Sequence, residues 1–320
     1  MILNIFYLLI GLFLITIGAE KFTAGASSIA RNFGIPPIII GLTIVAIGTS
    51  APEIVVSLIA VLDGNANLAI GNAIGSNITN IALILGVTAL IKPISVESSL
   101  LKKEYPIMFG VIFIGGLLSL DFKLSPIDFT ILITLLIIYL SYLSYSGIRY
   151  RKSETLKLEA LSCIPDKLSN KKSFFYLFFG LILLPISSKL IVLGASEIAL
   201  ALGFSELVIG LSIVALGTSL PELATSIASI IKKEESLAIG NILGSNIFNL
   251  LAVYSIPGLT YTHLNFIVLY RDYYLMTLLS FLAYAMSLNF KNNKGVISRF
   301  EGGLLVLIFI GYEVVLFNFN

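Results

Sequence analysis

Cysteine, histidine and charge are all scarce in this chain. One cysteine, Cys163, and one histidine, His263, stand among 320 residues. A lone cysteine excludes an intrachain disulfide and says little about redox compartment. Neither residue has the neighbours that a soft-metal site needs. Charged residues make up 12% of the chain, and no Lys or Arg stands at the centre of a long apolar run. No Lys or Arg precedes the first apolar run, and no small-residue cleavage pattern follows it. That run is therefore expected to be a retained helix and not a signal peptide. The connections are too short for a separate soluble domain. The longest polar stretch, 148–172, lacks the clustered acids of a regulatory ion-binding domain and reads as a solvated linker. Its basic residues fit anionic lipid better than nucleic acid.

What is abundant is apolar. Hydrophobic residues form 57% of the chain, and mean hydropathy is +1.00. A membrane span needs about 20 apolar residues. Ten candidates fall near 2–19, 37–60, 68–91, 105–120, 127–147, 173–193, 206–231, 237–258, 268–289 and 296–317. With the N-terminus outside, all but three of the 20 Lys and Arg fall on the inner side; Lys123, Lys189 and Arg271 fall outside. The positive-inside rule accepts this orientation. The expectation is a multi-pass protein of the cell (inner) membrane, with both termini outside and the 148–172 loop cytoplasmic.

The chain also repeats itself. GLTIVAIGTSAPE at 41–53 returns as GLSIVALGTSLPE at 210–222, and LAIGNAIGSNITN at 68–80 returns as LAIGNILGSNIFN at 237–249. One offset relates both pairs and also carries Gly25 to Gly194 and Gly34 to Gly203. Such self-similarity marks a duplicated architecture. Five spans per copy is an odd number, so the second copy enters the membrane from the opposite side. The expected fold is all-α integral membrane, ten transmembrane helices as two inverted five-helix repeats. The first repeat is 1–147, the linker 148–172 and the second repeat 173–320. In such folds the substrate site tends to lie near midplane, where broken helices meet.

The repeated segments carry the polar chemistry. Pro52 lacks an N–H and clashes with the carbonyl four residues back, so the helix bends and the Gly48 carbonyl loses its partner. Thr49, Ser50 and Glu53 lie three or four apart and crowd one side of that helix. Gly217, Thr218, Ser219, Pro221 and Glu222 repeat the arrangement. Asn72, Ser76 and Asn80 form a polar stripe at four-residue spacing, repeated by Asn241, Ser245 and Asn249. For Asn72 and Asn241, interhelical bonding and ligation are equal readings; for the glycines between them, close packing is the favoured one. The hydroxyls could bond back to their own helices. An acid at mid-membrane costs about 2.5–3.5 kcal/mol on insertion scales. Two of them at equivalent positions, with no cation beside them, argue against a structural role. Together the segments offer oxygen only, which suits Ca²⁺ or Na⁺ better than Mg²⁺.

These paired G-T-S-x-P-E and G-N-x-x-G-S-N segments resemble the α-repeats of the cation/calcium antiporter superfamily, and within it the prokaryotic sodium/calcium exchangers. The resemblance implies a secondary active antiporter that exchanges Ca²⁺ for Na⁺ by alternating access, and not an enzyme. It implies Glu53 and Glu222 as central carboxylate ligands, with oxygens from Thr49, Ser50, Thr218, Ser219, Ser76 and Ser245 and carbonyls near Ala46 and Ala215. Asn80 and Asn249 would line the same cluster, and the first and sixth spans would slide across the rest. Family exchangers commonly carry an acid where Asn249 stands; here the two carboxylates bring a charge of −2, matching one Ca²⁺ or two Na⁺. Ca²⁺/H⁺ exchange and K⁺-dependent Na⁺/Ca²⁺ exchange are the alternatives on this scaffold, and a cation channel is the alternative class. No cofactor is expected. The expected partners are the transported Ca²⁺ and Na⁺ and membrane lipid, with no nucleic acid and no obligate protein partner.

Overall fold

The computed structural model describes residues 2–64, 66–96, 100–151, 168–201, 215–264, 268–288 and 295–319. They are mostly helical. Helix α1 is Ile2–Phe33, ended by Gly34 at φ +64. Helices α2 (Pro37–Thr49) and α3 (Ala51–Leu62) follow, then α4 (Ala66–Ile91), α5 (Tyr105–Leu118) and α6 (Pro126–Arg151). The second half has α7 (Asn170–Ala201), the short α8 (Ala215–Thr218), α9 (Leu220–Ile231), α10 (Glu235–Thr260), α11 (Tyr274–Ser287) and α12 (Arg299–Phe319). Helix α6 runs past the expected start of the linker at 148, and α7 begins before its expected end at 172. Cys163 and residues 206–214 of the seventh expected span lie outside the described residues.

Among the described residues five helices are long and apolar enough to cross a membrane, or six if α2 and α3 form one bent span. Large apolar side chains face outward: Phe13, Phe113, Phe175 and Leu307 are each more than 60% exposed. A surface this apolar is matched to lipid. Polar side chains such as Glu53, Ser76, Asn241 and Ser245 are buried instead. The chain is a multi-pass membrane protein.

The bend between α2 and α3 is 41°. It falls at Ser50 (φ −83, ψ 8), with Pro52 in the first turn of α3. Ser219 adopts nearly the same backbone (φ −87, ψ 3) ahead of Pro221 at the start of α9. Proline fits the first turn, where its missing N–H costs nothing. Wide turns with π-type bonding interrupt the helices at Gly41–Val45, Thr79–Leu85 and Asn249–Val253. No proline or glycine pattern announced these turns, and such turns concentrate at functional sites.

Glycine sets the closest helix contacts. A Cβ on Gly25 of α1 would stand 2.5 Å from the Leu177 nitrogen of α7, and one on Gly180 of α7 would stand 2.5 Å from the Phe22 Cβ of α1. Gly11 and Gly194 make equivalent approaches along the same pair. Helices α1 and α7, the first and sixth expected spans, therefore lie backbone to backbone. Gly240 and Gly244 bring α10 equally close to α2. Two small antiparallel sheets join the halves at their ends: Ile94–Val96 pairs with Gly295–Ile297, and Lys123–Leu124 with Thr262–His263. Helices α6 and α12 open alike: Ser125 pairs with Asp128, and Ser298 with Glu301. Both are capping boxes.

Candidate ion-binding site

Each half sends a carboxylate into the other. Glu53 and Glu222 sit in the first turns of α3 and α9 and are both 0% exposed. Ser50 Oγ, beside Glu53 in sequence, donates to Glu222 Oε1 at 2.9 Å. Ser219 Oγ, beside Glu222, donates to Glu53 Oε1 at 3.4 Å. The two bends thus face each other, and each serine serves the opposite acid. The second oxygens, Glu53 Oε2 and Glu222 Oε2, are buried with no hydrogen-bond partner. A buried carboxylate oxygen without a partner is costly, so the pair is poised for a group that this chain does not itself supply.

The threonines take part in the same exchange. Thr49 Oγ1 donates to Val45 O at 3.0 Å and lies 3.1 Å from Asn241 Oδ1. Thr218 Oγ1 lies 3.4 Å from Asn72 Oδ1. The back-bond of Thr49 uses its proton and leaves its lone pairs free. Thr49 and Ser245 also border the Glu222 carboxylate, and Thr218 borders that of Glu53. Ser76 Oγ and Ser245 Oγ are buried and unpartnered. Asn80 donates to Asn246 Oδ1 at 3.0 Å, while its own Oδ1 has no partner. Both polar atoms of the Asn249 amide are buried without partners.

The carbonyls near the two bends are not equivalent. The Ala46 carbonyl accepts from Ser50 N at 3.0 Å and lies 3.3 Å from Thr49 Oγ1, whose proton goes to Val45 O, so one of its lone pairs is left for a further partner. The Gly217 carbonyl, the counterpart of Gly48, is taken by Ser188 Oγ. The repeat position of Ser188 in the first half is Ala19, which has no hydroxyl. Ala215 opens α8, and its side chain lies outside those described.

Asn72 and Asn241 prove to be brackets. Asn72 Nδ2 reaches Glu53 O at 3.1 Å and Ser57 Oγ at 3.0 Å. Asn241 Nδ2 reaches Glu222 O at 3.4 Å and Ser226 Oγ at 3.1 Å. Each amide ties the backbone of its acid to the neighbouring helix, and its oxygen meets a threonine from the other half. Ser57 and Ser226 were not singled out from the sequence, although they too are identical across the repeat offset. Asn77, which donates to Asn246 O at 3.2 Å, also locks α4 to α10.

The arrangement offers carboxylate, hydroxyl and amide oxygens and no soft ligand. No cluster of three or more His, Cys, Asp or Glu exists among the described residues. An all-oxygen donor set suits a hard cation.

Comparison with known proteins agrees. The family profile described as sodium/calcium exchanger protein matches residues 3–147 and again 172–318. CaxA of Alkalimonas amylolytica is 42% identical over 99% of this chain and the whole of its own length. The inner membrane protein YrbG of Escherichia coli (strain K12) is 38% identical, over 88% of this chain and 87% of its own. A solved structure of the sodium-calcium exchanger NCX_Mj, soaked with Na⁺ and Ca²⁺, matches with a TM-score of 0.83 at 33% identity, covering 100% of this chain and 99% of that one. With both halves matched, this chain belongs to the sodium/calcium exchanger protein family, a family of membrane antiporters.

Proposed function

We propose that this protein exports Ca²⁺ in exchange for entering Na⁺ by alternating access, at an all-oxygen site near the membrane midplane. The observation that carries the reading is the crossed pair: two wholly buried carboxylates, one from each half, each held by the other half's serine and each keeping one oxygen unpartnered. Glu53 and Glu222 are the cation ligands. Thr49, Ser50, Thr218, Ser219, Ser76 and Ser245 complete the shell, with Asn80 and Asn249 along its wall.

The architecture proposed is ten spans in two inverted repeats, 1–147 and 173–320, joined by a cytoplasmic linker at 148–172. Contacts at helix ends support this alternation. Lys92 with Glu235, Lys232 with the Glu20 carbonyl, and Arg299 with the Ile91 carbonyl each join residues that the charge map places inside. Asp272 with Tyr312 joins residues placed toward the outside. The glycine-lined contact of α1 with α7 supports their moving as one body across the rest. Coupling follows if an empty site with two bare carboxylates crosses a dry barrier poorly.

The test is ⁴⁵Ca²⁺ uptake into proteoliposomes under imposed Na⁺, H⁺ or K⁺ gradients. Uptake driven by outward Na⁺ alone is expected. Uptake driven by H⁺, or Na⁺-driven uptake that also needs K⁺, would reassign the coupling ion. Single-channel current would reassign the class, although a site built within one chain by inverted copies suits alternating access better than a pore.

A further inference from the structure

The turns that follow α3 and α9 have the same shape. Asp63 (φ −81, ψ 4) and Lys232 (φ −81, ψ 3) end those helices in one conformation. Gly64 and Lys233 come next, both in the left-handed region, at φ +79 and +63. Positions 63 and 232 are related by the repeat offset, yet they carry opposite charge. Lys232 Nζ donates to the Glu20 carbonyl of α1 at 2.7 Å. Burial lowers the Lys232 pKa, and the Glu20 and Glu234 carboxylates oppose that shift, so both acids act on its charge. Ser27 Oγ of α1 donates to Glu234 beside it. These contacts hold α1 along α9. The repeat position of Glu20 is Lys189, so this partner is reversed in sign as well. Reversal at one position alone would set like charges together, whereas reversal at both keeps the attraction. Lys189 and Asp63 nevertheless stand apart here. Both are exposed, no ion pair among the described residues includes either, and α7 does not pack along α3 as α1 packs along α9. Of the three cations that the charge map places outside, Arg271 pairs with Asp272 and Lys123 lies over the Tyr261 ring. Lys189 alone has no counter-charge among the described residues.

We infer, resting on the alternating access proposed above, that Lys189 and Asp63 form the latch of the opposite-facing state, closing the outer face once Lys232 and α1 part at the inner one. Helices α1 and α7 lie backbone to backbone and travel together, so α1 leaving α9 brings α7 toward α3. The two contacts are alternatives: each holds one state, and neither state has both. Exposed ion pairs are weak, which suits a contact that must open in every cycle.

The test bridges cysteines in the full-length protein in proteoliposomes, in a Cys163→Ser background. One variant carries Asp63→Cys and Lys189→Cys, a second carries Glu20→Cys and Lys232→Cys, and a third carries all of these. The probe is a short membrane-permeant bis-maleimide, and intact mass tells a bridge, one reagent on two thiols, from separate adducts. With Na⁺ and Ca²⁺ on both sides, each pair should bridge, but no chain of the third variant should carry both bridges. Adding Lys232→Glu to the first variant sets like charges at the inner contact. It should speed bridging between positions 63 and 189 by roughly two- to fivefold, the range of an exposed ion pair. Adding Glu20→Lys as well should restore the slower rate. Failure of either pair to bridge, both bridges on one chain, or an outer rate indifferent to Lys232→Glu overturns the latch. Mutually exclusive bridging, together with ⁴⁵Ca²⁺ uptake that ignores the Na⁺ gradient, would leave the latch standing and overturn the Na⁺ coupling proposed above.

Discussion

Replacing Glu222 by Gln removes one charge and almost no volume. Glu222 Oε1 accepts from Ser50 Oγ at 2.9 Å, and a glutamine oxygen can accept the same bond. The wholly buried Oε2 has no partner to lose. The fold should therefore tolerate Glu222→Gln, since it leaves one buried charge fewer. Ca²⁺ binding should not tolerate it. Removing one member of a buried charge pair costs about 3–5 kcal/mol, or roughly 150- to 5,000-fold in Ca²⁺ affinity. Glu53→Gln should behave alike, because the two acids occupy equivalent positions. Ser50→Ala should cost less, about 1–2 kcal/mol for a hydrogen bond to a charged group. Its effect should shrink in the Glu222→Gln background, because the serine acts through that acid.

The assay is initial-rate ⁴⁵Ca²⁺ uptake against Ca²⁺ concentration in Na⁺-loaded proteoliposomes, with a size-exclusion profile to show that each variant is folded. Glu301→Gln is the control. Glu301 Oε2 accepts from the Ser298 nitrogen and hydroxyl, both at 2.7 Å, and glutamine serves a capping box as well as glutamate. A folded Glu222→Gln protein with unchanged half-saturation for Ca²⁺ would remove the crossed pair from the transport mechanism.

Gly180→Val should destabilise the protein by about 1–3 kcal/mol through overpacking, because the added Cβ would meet Phe22 Cβ at 2.5 Å and the Gly18 carbonyl at 2.8 Å; thermal unfolding in detergent that matched the parent would show that α1 and α7 part easily there. Burial raises the pKa of Glu234, against the Ser27 hydrogen bond and the Lys232 charge, from its usual 4.5. A raised acid stabilises the fold at low pH and loses that contribution as pH climbs from its ordinary value through the raised one, so the parent should lose ground to Glu234→Gln between acidic and neutral pH; a stability difference that is constant with pH would refute this. Cys163 should resist an impermeant maleimide in intact cells and react once the membrane is opened; ready labelling in sealed right-side-out cells would reverse the topology.

How much of this was legible in the sequence depends on the range over which each signal acts. Pro52 and Pro221 act on their own turns, so the bends at Ser50 and Ser219 could be read directly. The crossing of the serines could not. Ser50 lies three residues from Glu53, and helical spacing alone would assign the two to each other. In the structure Ser50 reaches Glu222, because the bend turns it toward the opposite half. Asn72 shows the same limit: its spacing with Ser76 and Asn80 predicted a stripe, but only tertiary contact decides that its donor is spent on the Glu53 carbonyl and Ser57. The signal that did exist was identity across the repeat offset, which Ser57 and Ser226 satisfy and which could have flagged both. The wide turns at Thr79–Leu85 and Asn249–Val253 hold one such identity, Asn80 with Asn249, but it could not announce the π-type bonding, since any side chain can enter such a turn. The departures from symmetry are equally local and equally silent: Ser188 occupies the Gly217 carbonyl, and Ala19 at the corresponding place has no hydroxyl to offer Gly48. In the inverted arrangement proposed above, two copies supply two facing states from one design. Under that proposal, a bond made by only one copy breaks the equivalence of the two halves and is where the chain would favour one state over the other.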